Sequence, residues 1–391
     1  MDEKIKIGIG HPTMRRGGSE ARAMWALQTL KDDFDVSLIS AGEVHIEALN
    51  RYYGTSIHSD EISIRKVPLP TFLRKMCAGD ALRGAFYQRF CRKIASEFDV
   101  LISAYNICDF GVPAIHCIAD FSWDDELRRR FHTHPSGTRG LFHQYKLLRK
   151  IYLGLSRIIS VPSGRNIFDE EDLILANSEW SAGIIREKYG TNCDVVYPPV
   201  MNNFPKIAAA EKEMGFVCIG RISPEKRLER IVWILKKVRR RGHDTHLHII
   251  GETTGTSYGR SIEEISKIEA DWVVLEGERF GFDKAKTLSQ HHFGIHACQG
   301  EAFGISVAEM VKAGCITFVP DEGGQVEIVN HSSLVYNGIE DAVNKIDTVL
   351  REPQLQLKLQ NHLEIQGEKF SANAFIKNIK AAVKRIFKKT H

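Results

Sequence analysis

Short apolar runs alternate with segments of helical period along nearly the whole chain, and that pattern leaves few folds open. Strand-like runs near 5–8, 36–40, 62–67, 100–103, 114–118 and 173–176 are separated by helical or loop stretches. A second series follows near 215–220, 247–250, 272–275, 294–297 and 316–319. Apolar strands that alternate with helices belong to parallel sheets covered on both faces. Between the series stand Pro198-Pro199 and the polar stretch 201–213, which read as a linker. At about 150 residues per domain, two domains suit a chain of 391 residues. The expected architecture is α/β: two Rossmann-like halves of similar size, residues 1–199 and 200–370. Such halves are expected to face one another across a cleft at the carboxyl ends of their sheets, where open α/β sheets take ligands. In the tail, 371–391, Phe375, Ile376, Ile379, Val383, Ile386 and Phe387 recur at helical spacing. A basic amphipathic helix packing back on the N-terminal domain is expected there.

The formal net charge of +4 conceals an uneven distribution. Residues 127–168 hold nine Lys/Arg and residues 375–391 six more, with no Asp or Glu in either stretch. Basic stretches on an acidic body meet phosphates, anionic lipid or nucleic acid. No recognised nucleic-acid module accompanies the charge, so no nucleic-acid partner is expected. Arg128, Arg129, Arg130, Lys146, Arg149 and Lys150 are interleaved with Phe131, Tyr145, Leu147, Leu148 and Ile151. A cationic helix with an apolar face fits an anionic membrane surface or a phosphate-bearing acceptor; it equally fits a solvated helix.

Met1-Asp2-Glu3-Lys4 leads straight into a strand-like run, with no pattern of a secretory signal. The most apolar long window, 100–119, is broken by Asn106, Asp109, Pro113 and His116, so two strands are expected rather than a membrane span. The eight cysteines form no Cys-x-x-Cys pair and read as buried thiols of a reducing compartment. The expected location is cytoplasmic, peripheral at the inner face of the membrane.

Three segments carry chemistry. In Glu301-Ala302-Phe303-Gly304-Ile305-Ser306-Val307-Ala308-Glu309, a helix opens after a strand. Its first amides, at Gly304 and Ile305, favour an anion through orphan donors and the helix dipole together. Glu301 before the helix and Glu309 two turns in could meet hydroxyls at two places on one extended ligand. Read alone, the pair is equally an acid favoured by the dipole and a solvated one. Gly220-Arg221-Ile222-Ser223-Pro224-Glu225-Lys226-Arg227 follows the first strand of the second series. There Ser223 can cap, Pro224 suits a first helical position, and Arg221 and Lys226 could hold a diphosphate. Arg15-Arg16-Gly17-Gly18-Ser19-Glu20 opens the first helix with glycines that permit close backbone approach. Gly8-Ile9-Gly10 lacks the third glycine of a dinucleotide fingerprint, and 251–259 lacks the ending of a P-loop.

In this order, with Val196-Tyr197-Pro198-Pro199 and His296, these segments resemble glycosyltransferase family 4, retaining enzymes of the GT-B architecture, over nearly the whole chain. His116-Cys117-Ile118-Ala119-Asp120-Phe121-Ser122 and His296-x4-Glu301-x-Phe303-Gly304-Ile305 are similar to segments of mannosyltransferases that build lipid-linked oligosaccharides. Cys117-Ile118 and Asp120 depart from that pattern. The resemblance implies a nucleotide-diphosphate sugar as donor, GDP-mannose first and a UDP-sugar as the alternative, and a glycan or polyprenyl-linked glycan as acceptor. It implies that Arg221 and Lys226 hold the diphosphate and stabilise the leaving group. Glu309 would bind the ribose, and Glu301 the sugar hydroxyls with the Phe303-Gly304-Ile305 segment. Gly17 and Gly18 would approach the donor, and His116 would stand at a strand end near the reacting sugar. No cofactor and no metal are expected. Asp33-Phe34-Asp35 falls in a turn before the second strand, and no acid or thiol completes a zinc set with His243, His246 and His248. Two rivals share the architecture: a sugar-nucleotide epimerase, and a non-catalytic nucleotide-sugar-binding subunit.

Overall fold

Every apolar run becomes a strand, and every strand pairs in parallel with its neighbours. The computed structural model describes residues 4–75, 79–131, 146–168, 170–200, 203–253 and 255–390, with side chains at all of these except 75 and 146–148. The chain divides into two units, 1–199 with 375–391, and 200–374.

In the first unit β1 (Lys6–Gly10), β2 (Asp35–Ser40), β3 (Ser63–Lys66), β4 (Val100–Ser103), β5 (Ile115–Ile118), β6 (Leu173–Ala176) and β7 (Cys193–Val195) form one sheet. Its order is β3-β2-β1-β4-β5-β6-β7. Successive residues point to opposite faces of a strand. Ile7, Ile9, Val36, Leu38, Val100, Ile102, Ile115 and Cys117 accordingly face one core, shared with Met24, Leu27 and Leu30 of helix Gly18–Leu30. The C-terminal helix Ala372–Thr390 inserts Phe375, Ile379, Val383 and Ile386 into that same core. Its cations find partners on the unit: Lys380 meets Asp33 and Arg385 meets Asp194, each at 2.6 Å.

The second unit repeats the order with β8 (Glu213–Ile219), β9 (Leu247–Ile250), β10 (Val273–Gly277), β11 (His291–Ile295), β12 (Ile316–Pro320) and the short β13 (Val335–Tyr336). The sheet runs β10-β9-β8-β11-β12-β13. Each sheet therefore reverses direction beside its first strand, between β1 and β4 and between β8 and β11, the crevice where doubly wound sheets take ligands. Three boundaries differ from the sequence reading. Glu213, read as the end of a linker, is already in β8. β11 runs from His291 to Ile295 rather than over 294–297, which puts His296 just past the strand. Pro224 opens only a 3-10 turn, Pro224–Lys226, and the α-helix begins at Leu228. Val200, leaving the first unit, donates its amide to the Phe370 carbonyl at 3.0 Å, so the outgoing and returning chains are tied together.

Candidate active site

The reversal between β8 and β11 gathers the strongest site. After β8 the chain makes the Pro224–Lys226 turn, and Arg227 then adopts a left-handed conformation (φ 49°) from which helix Leu228–Arg240 starts. After β11 come His296, Cys298 and Glu301, ahead of helix Ile305–Lys312. The Lys226 Nζ donates to Glu301 Oε2 at 2.5 Å, and His296 Nε2 lies 3.5 Å from the same oxygen. Arg227 donates to the Gln299 side chain, a second tie between the two loops.

Several main-chain bonds fix the Glu301 loop. Its carbonyl accepts from Gly324 N at 2.8 Å, and Gly300 N donates to the Glu322 carbonyl at 3.0 Å. The fully buried Gln325 donates to the carbonyls of Cys298 and Glu322. Tyr336 donates to the His296 carbonyl at 2.5 Å. Gly304 caps the helix at φ 101°, a conformation favouring glycine. The first amides bonded within the helix are those of Val307 and Ala308, both to the Gly304 carbonyl, so the preceding amides stand at the positive end of the helix dipole.

Electrostatics assigns the charges. Burial alone would raise the Glu301 carboxyl, but the Lys226 ammonium and His296 outweigh it and hold the group well below the usual carboxylate range. Burial would lower Lys226, and Glu301 reverses that, so the ammonium stays protonated. Burial lowers His296, and burial with the Glu301 charge pushes the Cys298 thiol up to about 12. Near neutral pH the set is a cation, a carboxylate, a neutral imidazole and a thiol.

Other expected residues fare differently. Arg221 is not a fixed cation: its side chain is 81% exposed and, among the described residues, pairs only with Glu225, at 3.5 Å. Glu309 is buried, and Lys284 Nζ donates to its Oε1 at 2.6 Å, a partner on helix Gly281–Gln290 that spacing along the chain does not reveal. The Phe303 ring is buried edge-on against Phe370, so it offers a ligand only main chain. The amide of Gly17, the N-cap of helix Gly18–Leu30, already donates to the Tyr53 hydroxyl at 2.7 Å.

His116 is a correction. It belongs to the amino-terminal half of β5, buried against Phe110. Its Nδ1 faces the Cys108 amide at 3.4 Å, and its Nε2 lies 3.5 Å from Asp172, the residue before β6. It therefore stands in the body of the sheet, in register with Ser103 of β4 and two residues short of the end of β5. At the carboxyl edge of the first sheet stand residues that sequence reasoning did not select. His11, 2% exposed, follows β1, and no hydrogen bond of normal geometry reaches either ring nitrogen. Its ring lies 5.4 Å from that of Tyr105. Asp120 accepts from Asn106 Nδ2 at 2.9 Å and from the Ser122 amide at 2.8 Å. The signal that could have found them is their place just after β1, β4 and β5 in this strand order.

The basic stretch is also less naked than its composition suggests, because acids just outside it turn back. Arg128 and Arg149 both pair with Asp125, and Arg165 pairs with Glu171 and Asp172. Arg129, Arg130, Lys150 and Arg157 remain exposed; Arg139 and the side chain of Lys146 lie outside the described residues.

Residues 200–370 match the family described as glycosyl transferases group 1. The human GDP-Man:Man(3)GlcNAc(2)-PP-Dol alpha-1,2-mannosyltransferase is 26% identical over 241 residues, covering 56% of this chain and 49% of that protein. Its Dictyostelium discoideum counterpart is 24% identical over 240 residues, 54% and 47%. The chain thus matches about half the length of these curated relatives. Among solved structures, Anabaena HepE in complex with UDP and glucose superposes with TM-score 0.68 at 14% identity, over 97% of this chain and 100% of that one. WaaG, a glycosyltransferase involved in lipopolysaccharide biosynthesis, gives 0.67 at 12% identity, over 96% and 99%. The second half of the chain thus matches the glycosyl transferases group 1 family, and the chain as a whole has the GT-B fold.

Proposed function

We propose that this protein is a retaining hexosyltransferase that moves mannose from GDP-mannose to a lipid-linked glycan. The observation that carries the reading is the Lys226–Glu301–His296 set, standing with the start of helix Ile305–Lys312 at the carboxyl edge of the second sheet. Lys226 holds the donor diphosphate, joined by Arg221 once that exposed side chain swings in. Glu301 accepts from donor-sugar hydroxyls beside the Gly304 and Ile305 amides, and Glu309, oriented by Lys284, accepts from a ribose hydroxyl. In the transfer, the bond between the anomeric carbon and the phosphate oxygen breaks. The acceptor oxygen bonds to that carbon on the same face, and its proton passes to the departing phosphate. Lys226 and the helix start stabilise the charge that develops there. This route assigns no metal to the transfer step.

The curated relatives support GDP-mannose and a dolichyl-linked acceptor through what their names say of them. The likeness to HepE with UDP and glucose keeps a UDP-sugar as the second reading. No helix among the described residues is long and apolar enough to cross a membrane. Helix Lys146–Ser160 gives the protein a means of peripheral attachment: Tyr152 accepts from the Ala81 amide, while Ile151, Leu155 and Ile158, four and then three residues apart, are exposed with Lys150 and Arg157. Each cation near an anionic surface contributes about 1 kcal/mol.

The deciding experiment is thermal shift with GDP, UDP, ADP and their sugars, followed by transfer to a polyprenyl-linked oligosaccharide. Stabilisation by GDP and GDP-mannose with acceptor-dependent turnover is expected. Preference for UDP overturns the donor, conversion of the sugar nucleotide without acceptor indicates an epimerase, and nucleotide binding without turnover indicates a binding subunit.

A further inference from the structure

The opposite edge of the second sheet holds a second constellation. β8, β9 and β11 are neighbours, so their amino-terminal ends lie side by side. Glu213 opens β8, His246 precedes β9, His248 is its second residue, and His291 opens β11. His291 and Glu213 are register partners, and the Phe216 amide donates to the His246 carbonyl. A β-bulge between His291 and Phe293 shifts the register there and brings His291 opposite Glu213, so that its ring joins those of His246 and His248. One nitrogen or carboxylate oxygen from each lies within 4.8 Å of all the others. In the sequence, His246 and His248 lacked an acid; the sheet supplies Glu213 and a third histidine from 45 residues beyond His246. His243 turns away to Asp347, at 2.6 Å.

From this we infer that Glu213, His246, His248 and His291 form a binding site for one divalent transition-metal ion, Zn2+ above all. Three imidazoles and one carboxylate are a zinc donor set. At zinc bond lengths, tetrahedral ligand atoms stand about 3.3 Å apart. His246 Nε2 and Glu213 Oε2 are already 3.1 Å apart, and His291 Nε2 lies 3.9 Å from the same oxygen.

Two further observations point to a ligand. The first is an orphan: the Nε2 atom of His291 is buried with no hydrogen-bond partner among the described residues, and His291 as a whole is 1% exposed. Buried polar atoms without partners are rare in folded proteins, and an ion is one of the things that explains them. The second is the outer support. Nδ1 of His291 is 2.7 Å from the Thr287 carbonyl, and Nδ1 of His248 is 2.7 Å from Glu276 Oε1. Metal-bound histidines characteristically use their other ring nitrogen in this way, on a carbonyl or a carboxylate. It leaves the Nε2 atoms for the ion.

Space has been kept as well. A Cβ on Gly215 would lie 2.1 Å from His246 Nε2, so only glycine lets that ring lie over β8. A cavity of about 230 Å³, lined by Glu213, His248, Glu276 and His291 with Arg279 and Lys286, connects the cluster to solvent. Bound there, the ion joins the starts of three central strands. It is a structural ion on the edge opposite the Lys226–Glu301 set, and it takes no part in sugar transfer.

The test uses the tag-free full-length protein after chelator treatment. Titration with Co2+ should produce the visible absorption of a tetrahedral site at one equivalent. Zn2+ should displace it and raise the melting temperature by several degrees, leaving nucleotide affinity unchanged. His246→Gln and His248→Gln should each weaken Zn2+ binding at least 100-fold, and Glu276→Gln, outside the ligand shell, by 10–100-fold. Should His291→Gln fail to fold, the half-exposed Glu213 carries the test as Glu213→Gln, with far-UV circular dichroism to verify the fold. Binding below one-tenth of an equivalent overturns the site, as does Zn2+ binding that is equal in wild type and in both histidine variants. Failure here leaves the transfer reading untouched, because its readouts are nucleotide binding and turnover.

Discussion

Lys226→Met removes the cation from the donor-side pair and leaves Glu301 with His296, in a buried setting that disfavours its charge. Losing one member of a buried pair costs about 3–5 kcal/mol. The Lys226 and Glu301 side chains are 14% and 25% exposed, so solvent screens part of this, and about 1–3 kcal/mol is expected at pH 7. For a unit of this size that lowers the melting temperature by roughly 2–12 °C. The sign with pH is fixed. In the wild type the Glu301 carboxyl is held below its ordinary value, so the pair stabilises the fold above about pH 4.3 and is lost only as pH falls through the depressed value. In the variant, burial is opposed by His296 alone, and Glu301 takes up a proton more readily than in the wild type. The stability gap is therefore widest near pH 7, begins to narrow as pH falls through the variant's higher value, and is gone only below the wild type's depressed one. Turnover should drop by about 100–1,000-fold, the loss typical of removing a preorganised charge stabiliser. Urea melts from pH 4 to 7.5, with a radiolabelled-mannose transfer assay, read both effects. Lys226→Met combined with Glu301→Gln should recover most of the stability and remain inactive. A gap equal at pH 4.5 and 7, or transfer above a tenth of wild type, would refute the ion-pair account.

Arg221→Ala should leave stability within about 0.5 kcal/mol, since the side chain is exposed, yet raise the donor KM about tenfold, measured by steady-state kinetics. His116→Ala should do the reverse, costing about 2 kcal/mol in denaturant melts while donor affinity stays within a factor of two, because the ring is buried inside its unit against Phe110 and Asp172. Lys284→Met strands the Glu309 carboxylate and should cost about 3 kcal/mol and weaken GDP binding, read by calorimetry. Ile158→Asp with Lys150→Glu should abolish co-flotation with anionic liposomes at low salt; absence of wild-type flotation would remove the membrane role.

The alternation of runs was enough to read the two parallel sheets and the C-terminal helix, because both are set by periodicity. Lys226 and Glu301 were legible for a related reason: each follows a strand closely, and the loops after parallel strands share one edge. Glu309 was legible as an acid but not as half of a pair, since Lys284 comes from a helix 25 residues away. Arg221 and Lys226 looked alike in sequence. The left-handed Arg227 ends the turn, leaving Lys226 held against Glu301 and Arg221 in solvent. No composition rule anticipates such a bend.

The histidines show what decides function in a chain of this kind. In a parallel sheet all strand starts lie on one edge and all strand ends on the other, so a residue's chemistry depends on which side of a strand limit it falls. With β11 placed at 294–297, His296 lies inside a strand and His291 in the helix before it. With β11 at His291–Ile295, His296 moves past the carboxyl end and meets Glu301, while His291 moves to the amino end and meets Glu213. A shift of two to three residues thus sends two histidines of one strand to two different sites. His116 falls short of a strand end, in register with the last residue of β4. It was assigned to a strand end, but the strand begins one residue before it, and its partner Asp172 precedes the next strand. Burial cannot separate these cases, since His116, His291 and His296 are equally buried. What separates them is where each ring falls along its strand, and hence which partners it can reach.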